Sequence, residues 1–141
     1  MKNLNYCLSE IDQVACDLLI DVGDVKIITL TGSLGAGKTT FCAAMLKQLG
    51  VQEIAPSPTF TYVNIYTAGD GRTVYHFDLY RLKSLQEFEQ AGFFEYLYQP
   101  NSLVLIEWPE ILLSVLNHKI CAIELVSLGQ DQRQLQYSIL N

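Results

Sequence analysis

The stretch Val25-Lys26-Ile27-Ile28-Thr29-Leu30-Thr31-Gly32-Ser33-Leu34-Gly35-Ala36-Gly37-Lys38-Thr39-Thr40 runs from an apolar, β-branched segment through a glycine-rich loop into good helix formers. Residues 25–30 are too apolar for a half-solvated strand and suit one covered on both faces. Gly32, Gly37, Lys38 and Thr39 fit the spacing G-x-x-x-x-G-K-[ST], placed between a predicted strand and a predicted helix. Glycines let successive backbone N–H groups turn inward around an anion, and the following helix adds its positive end. The segment Ser33, Leu34, Gly35, Ala36, Gly37, Lys38, Thr39 and Thr40 is therefore read as a cradle for nucleotide phosphates. Lys38 is expected on the β- and γ-phosphates and Thr39 on Mg²⁺.

Toward the N-terminus, Leu4, Tyr6 and Leu8 alternate like a short half-buried strand. Ser9, with Asp12 three residues on, offers a cap for a helix carrying Ile11, Val14, Ala15, Leu18 and Leu19, which ends near Gly23. Toward the C-terminus, residues 38–49 read as helix with Gly50 as a left-handed cap. Pro56 and Pro58 force a loop over residues 54–58. Residues 59–66 and 73–80 read as an antiparallel hairpin around the turn at 68–71. Ser84 and Glu87 form a capping box for a helix reaching about Gly92, continued by a short helical piece over 93–98. Residues 103–106 are a buried strand by composition, and Pro109 opens a further helix through Leu116. The tail, residues 121–140, reads as a closing hairpin that turns at Gly129-Gln130. No linker or repeat interrupts the pattern, so residues 1–141 are expected to form one α/β domain of the P-loop NTPase type. Its three layers would enclose a mixed sheet with a parallel core and antiparallel hairpins.

The chain has 141 residues, 50% hydrophobic and 17% charged, with a formal charge of −6, which is a globular and not a disordered composition. Arg72, Arg81, Arg133 and the lysines are scattered, so no basic stripe exists to grip nucleic-acid phosphates directly. The N-terminal residues lack an apolar signal region and no run reaches the roughly 18 apolar residues of a membrane span, so a cytoplasmic location is expected. Cys7, Cys16, Cys42 and Cys121 include no Cys-x-x-Cys pair and read as small core residues in a reducing compartment. The guanine-reading Asn-Lys-x-Asp pattern is missing, since Asn117-His118-Lys119-Ile120 does not match it, and ATP is the expected nucleotide.

Glu107 ends the apolar strand, where a second carboxylate would lie beside the phosphate loop in a parallel sheet; the alternative is a strand-end surface glutamate. Asp78, in His76-Phe77-Asp78-Leu79-Tyr80-Arg81, is either a metal-shell ligand or a solvated edge residue. The hydroxyls of Ser57-Pro58-Thr59-Phe60-Thr61 form either a nucleotide-sensing loop or an ordinary loop entering a strand. Trp108 is a core residue or a stacking platform.

These motifs together resemble the bacterial TsaE (YjeE) ATPases required for making threonylcarbamoyladenosine in tRNA. The resemblance rests on residues 34–40, Ser57-Pro58-Thr59-Phe60-Thr61, Tyr75-His76-Phe77-Asp78-Leu79-Tyr80-Arg81 and Glu107-Trp108-Pro109, in the family's order and approximate spacing. It implies that Lys38 and Thr39 carry nucleotide and Mg²⁺, that residues 57–61 act as a switch with Thr61 in contact, and that Asp78 and Glu107 serve the metal and hydrolysis. It also places Trp108 beside the active site. The partners implied are two proteins, TsaD and TsaB, which carry out threonylcarbamoyl transfer, with tRNA reached only through them. Ser33 departs from the acidic residue usual in the family before Leu34-Gly35-Ala36-Gly37. The expected chemistry is hydrolysis of the β–γ bond, slow in the isolated chain because no arginine finger has motif support, Arg81 being one option. Two rivals remain open: a small-molecule kinase, and a binding module gated by its nucleotide state.

Overall fold

The computed structural model describes residues 1–117 and 119–140; His118, in the tetrapeptide compared with the guanine signature, lies outside them. The strands are β1 (Lys2–Cys7), β2 (Ile27–Thr31), β3 (Val63–Thr67), β4 (Thr73–Asp78), β5 (Ser102–Glu107), β6 (Ile120–Ser127) and β7 (Gln132–Leu140). The helices are α1 (Ile11–Val22), α2 (Lys38–Gln48) and α3 (Leu85–Gln90), supplemented by 3₁₀ turns at Leu8–Glu10, Phe93–Tyr96 and Glu110–Leu112. The strands form one 7-stranded sheet in the order β1-β7-β6-β2-β5-β4-β3. β6, β2, β5 and β4 run parallel, while β3, β7 and β1 join as antiparallel neighbours. This is the α/β P-loop architecture with a parallel core and antiparallel flanks.

Alternation along the central strands splits the core into two layers. Ile28, Leu30, Leu103 and Leu105 face α1 and α2, where Leu18, Phe41, Cys42 and Met45 are buried. Ile27, Val104 and Ile106 face the other way, onto Phe77, Phe88, Leu97 and Leu112. All six residues of β5 are buried, as a run covered on both faces should be.

Helix α2 ends as its sequence requires. Gly50 has φ +85°, its N–H donates to the Lys47 carbonyl (3.1 Å), and the Val51 N–H donates to Leu46 (3.1 Å), the paired bonds of a glycine-terminated helix. The Ser84 hydroxyl accepts from the Glu87 N–H (3.2 Å), as expected of a cap. At the start of α1 the expected Ser9 cap is replaced: the Glu10 carboxylate accepts from the Cys7 N–H (2.8 Å) across the preceding 3₁₀ turn.

Two expected elements are shorter than their composition suggests. The strand expected over 59–66 begins only at Val63, because the Tyr62 N–H donates to the Pro58 carbonyl (2.7 Å) and Tyr62 sits at φ +69°. The helix expected from Pro109 through Leu116 is a 3₁₀ turn at Glu110–Leu112 followed by turn bonds from Val115 and Leu116 to the Leu112 carbonyl (3.0 and 3.1 Å). So short a segment cannot offset the cost of helix nucleation, and buried Leu112 pins it to the core instead.

The C-terminal hairpin does more than close on itself. Its second strand receives β1 along the full register from Lys2↔Tyr137 to Cys7↔Gln132. Asp21, near the end of α1, fastens this arrangement by accepting from Lys2 Nζ (2.8 Å) and from the Tyr137 hydroxyl. Those two bonds, Lys2 first and then Tyr137, hold the Asp21 carboxyl below the usual carboxylate range. A depressed carboxyl contributes stability that is present above the unfolded-state pKa and lost as pH falls through the folded-state value. Asp21→Asn is therefore expected to melt below wild type at neutral pH, with the gap closing as pH falls below the ordinary aspartate value of about 3.9; a gap unchanged by pH in thermal melts would contradict this.

Candidate functional site

Parallel pairing sets the site. Leu30 is in register with Glu107, and Glu107 with Asp78, so the start of the glycine loop and both carboxylates meet at the carboxyl ends of three adjacent strands. In open α/β sheets that edge is where ligands bind. Beyond β2, the loop turns through Gly35 at φ +79° and Gly37 at φ +102° into the start of α2. Gly32 cannot be another residue without rearrangement: at φ +148° an added Cβ would lie 2.5 Å from the Leu125 backbone oxygen.

Lys38 is 5% exposed. Its Nζ donates to the carbonyls of Gly32 (2.5 Å) and Ser33 (3.0 Å) and lies 4.0 Å from the centre of the Trp108 ring. Burial pushes this ammonium below its ordinary pKa, opposed by the carboxylates of Glu107, Glu110 and Asp78. A cation held this way, satisfied by loop carbonyls, is ready to exchange those partners for phosphate oxygens.

Glu107 is 2% exposed, which rules out the strand-end surface alternative. Its Oε1 accepts from the Thr39 hydroxyl (2.8 Å), while its Oε2 lies 2.7 Å from His76 Nε2. Nε2 and Oε2 share one hydrogen bond, in which the imidazole donates when the carboxylate is ionised. Cys42 completes the surround. Its thiol, Nε2 or Nδ1 of His76 and a Glu107 oxygen all lie within 4.8 Å of one another. Burial, then the charges of Glu107 and Asp78, push that thiol well above its ordinary value.

Asp78 is 5% exposed and is not a solvated edge residue. Its Oδ2 accepts from Ser57 (2.7 Å) and Thr59 (3.3 Å), and its Oδ1 from the Tyr80 N–H (3.1 Å). The proline loop is thus tied to the strand carboxylate by hydroxyl groups. Thr39, Glu107 and Asp78 together present hard oxygen donors of the kind Mg²⁺ selects, next to a buried lysine and a glycine cradle, so this donor set fits a metal–nucleotide ligand.

A cleft of about 450 Å³ opens over these groups. Of the residues singled out in the sequence, Leu34, Gly35, Gly37, Lys38, Thr39, Thr40, Asp78, Glu107 and Trp108 line it. Ser33 contributes its carbonyl to Lys38, and Ala36 is buried behind the loop. Thr61 is exposed and lies outside the lining; the turn closed by Tyr62 leaves Ser57 and Thr59 as the hydroxyls on the cleft. Trp108 combines both roles considered for it, packing on the Phe77–Leu112 core layer while facing Lys38 and, at 4.8 Å, the Tyr80 ring. The residues sequence reasoning passed over are His76, hidden as one polar position in an apolar strand, and Arg133, contributed by a hairpin without a motif.

Residues 7–135 match the family model described as threonylcarbamoyl adenosine biosynthesis protein TsaE. A tRNA threonylcarbamoyladenosine biosynthesis protein TsaE of Borreliella burgdorferi is 43% identical over 90 residues, covering 64% of this chain and 64% of that protein. The protein of the same name from Bacillus subtilis is 36% identical over 116 residues, 82% of this chain and 70% of its own length. The crystal structure of Bacillus subtilis YdiB superposes with a TM-score of 0.73 at 27% identity, covering 99% of this chain and 87% of that one. The matched stretches span 64%, 60% and 61% of the lengths of three of these relatives, from Borreliella burgdorferi, Rickettsia conorii and Rickettsia felis.

The hydrogen-bonded surround of Glu107 generates a prediction independent of any ligand. His76→Ala leaves a buried carboxylate short of a donor and is expected to cost about 1–3 kcal/mol in urea unfolding. His76→Gln, which can still donate, should recover most of that loss; equal losses in both variants would show that the bond to Glu107 is not what His76 supplies.

Proposed function

The chain belongs to the TsaE family of threonylcarbamoyl adenosine biosynthesis proteins, and from that premise we propose that it is an ATPase that binds Mg-ATP at residues 32–39 and acts on a TsaD–TsaB-like protein assembly in tRNA modification. The observation that carries this reading is the bond between Thr39 and Glu107 (2.8 Å) at the mouth of the glycine loop, beside buried Lys38. A hydroxyl and a carboxylate so joined make a ready pair of oxygen donors where the loop would place the terminal phosphates.

In this reading the loop N–H groups and the start of α2 bind phosphate oxygens, and Lys38 exchanges its contacts with Gly32 and Ser33 for the β- and γ-phosphates. Thr39 and Glu107 would hold Mg²⁺, with Asp78 alongside them; when bound, the ion neutralises charge that develops on the phosphoryl oxygens. Glu107 is fixed by Thr39 and His76, so it can orient a water without paying for its own reorganisation. Ser57 and Thr59, bonded to Asp78, would couple the loop over residues 57–61 to what occupies the cleft. Arg81 lies 4.4 Å from the Phe60 ring on the cleft rim, and no ion pair among the described residues fixes it. Slow turnover in isolation follows, with a partner supplying the missing transition-state charge.

A protein partner suits the formal charge of −6 better than tRNA does. No helix among the described residues is long and apolar enough to cross a membrane, and we place the protein in the cytoplasm with the machinery it serves.

The test is the Mg-dependent ATP hydrolysis rate of the purified chain, alone and with TsaD and TsaB. Slow hydrolysis that rises with partners and falls by about 10²-fold or more in Glu107→Ala is expected. ATP binding without turnover in either setting would identify a nucleotide-gated module instead, and turnover unaffected by Glu107→Ala would remove that residue from the chemistry.

A further inference from the structure

Glu107 stands on a boundary between two kinds of donor. Its Oε1 takes the Thr39 hydroxyl, on the side where the hard oxygens collect, whereas its Oε2 faces His76 Nε2 at 2.7 Å. Both side chains project from neighbouring strands toward α2, since His76 is in register with Leu105, two residues before Glu107, and Leu105 packs in the layer of α1 and α2. Cys42, one helical turn beyond Lys38, comes down from α2 onto the same spot. A sulfur, an imidazole nitrogen and a carboxylate oxygen thus lie within 4.8 Å of one another, and among the described residues no other three His, Cys, Asp or Glu side chains are grouped in this way.

This donor set is not the one Mg²⁺ selects. Mg²⁺ demands oxygen ligands in octahedral geometry, while thiolate, imidazole and carboxylate together are ligands of Zn²⁺. Metal–ligand distances of about 2.0–2.3 Å put tetrahedral partners within about 4 Å of one another, so side-chain adjustments bring the group to a metal. Three protein ligands leave a fourth position for water, and Glu107 lines the cleft, through which an ion and that water can enter.

Charge balance also suits Zn²⁺. All three side chains are buried, and a buried ion must be compensated. One thiolate and one carboxylate cancel the charge of a divalent cation. On binding, the hydrogen bond between His76 and Glu107 breaks and the Cys42 thiol releases its proton to solvent, as a coordinating thiol does. The imidazole keeps one proton on Nδ1 and turns the Nε2 lone pair to the metal.

We propose that Cys42, His76 and Glu107 form a Zn²⁺ site beneath the cleft, and that its occupation withdraws Glu107 from the cleft and inhibits hydrolysis. The site itself is independent of how the glycine loop is read. The inhibition rests on the reading of that loop as an ATP site, because it needs Glu107 to serve a bound nucleotide.

The experiment is titration of Zn²⁺ into the untagged, ligand-free chain in competition with a chromophoric chelator, repeated with Co²⁺ as a spectroscopic substitute. Wild type is expected to take up Zn²⁺, and its Co²⁺ form to show a thiolate-to-metal charge-transfer band. Losing an outer-shell partner costs about 10- to 100-fold in metal affinity, and a ligand counts for at least as much. Cys42→Ala is therefore expected to bind Zn²⁺ about 100-fold more weakly, or worse, and to lack the band. Cys42→Ser keeps the volume and is expected to behave alike should Cys42→Ala not fold; His76→Gln, still able to donate to Glu107, is expected to lose the ion too. Mg-dependent ATP hydrolysis by wild type should fall as the site fills and return on chelation, whereas Cys42→Ala should hydrolyse at the wild-type rate and resist Zn²⁺. Equal Zn²⁺ affinity in wild type and the Cys42 variants, or a Co²⁺ spectrum without the sulfur band, overturns the site. Zn²⁺ bound through Cys42 without slowing a measurable hydrolysis rate overturns the coupling to Glu107. A chain that binds Zn²⁺ through Cys42 yet never hydrolyses ATP removes the ATPase reading and the inhibition with it, while the metal site stands.

Discussion

Three adjacent parallel strands in one register, Leu30 beside Glu107 and Glu107 beside Asp78, determine where every polar group of the cleft can be. Strand pairing with a period of two tolerates no one-residue slip, because a slip would turn Ile28, Leu30, Leu103 and Leu105 from one core layer into the other. The apolar layers therefore fix the carboxylates. Packing that has nothing to do with chemistry brings two negative side chains to within reach of the lysine that opens α2.

The same arrangement buries charge, and each buried group is compensated locally. Lys38 has two loop carbonyls and the Trp108 face, Glu107 has Thr39 and His76, and Asp78 has Ser57, Thr59 and a backbone N–H. These bonds couple the strand ends, the glycine loop and the proline loop into one hydrogen-bonded unit. Whatever displaces the Lys38 or Thr39 partners changes the surroundings of Glu107, and Asp78 connects that change to residues 57–59.

Much of this was legible in the amino-acid order. Glycines and a lysine at fixed spacing, after a β-branched run, specify both backbone and anion site, because few other residues tolerate φ near +100° at Gly37. The two-sided apolar runs foretold the parallel core and the tail foretold its hairpin. Less legible were features that depend on contacts distant in sequence. Nothing local announces that β1 pairs with β7, or that Arg133 returns to Gly37. His76 reads as a stray polar residue until β4 lies beside β5. The strand expected from residue 59 failed for a local reason, since the turn from Pro58 to Tyr62 overrides favourable β composition, and Thr61 is carried away from the cleft as a result.

The central claim is that the cleft over Lys38, Thr39 and Glu107 receives an adenine nucleotide with its metal. Trp108 offers a direct reporter, because its ring rests 4.0 Å from Lys38 Nζ and an arriving phosphate must alter that contact. The measurement is Trp108 emission during titration with ATP, in Mg²⁺ and again after chelation by EDTA, with GTP as competitor. The account predicts a saturable change that weakens on chelation and that GTP displaces only poorly. No saturable change with any nucleotide, or displacement by GTP far more readily than by ATP, would contradict it.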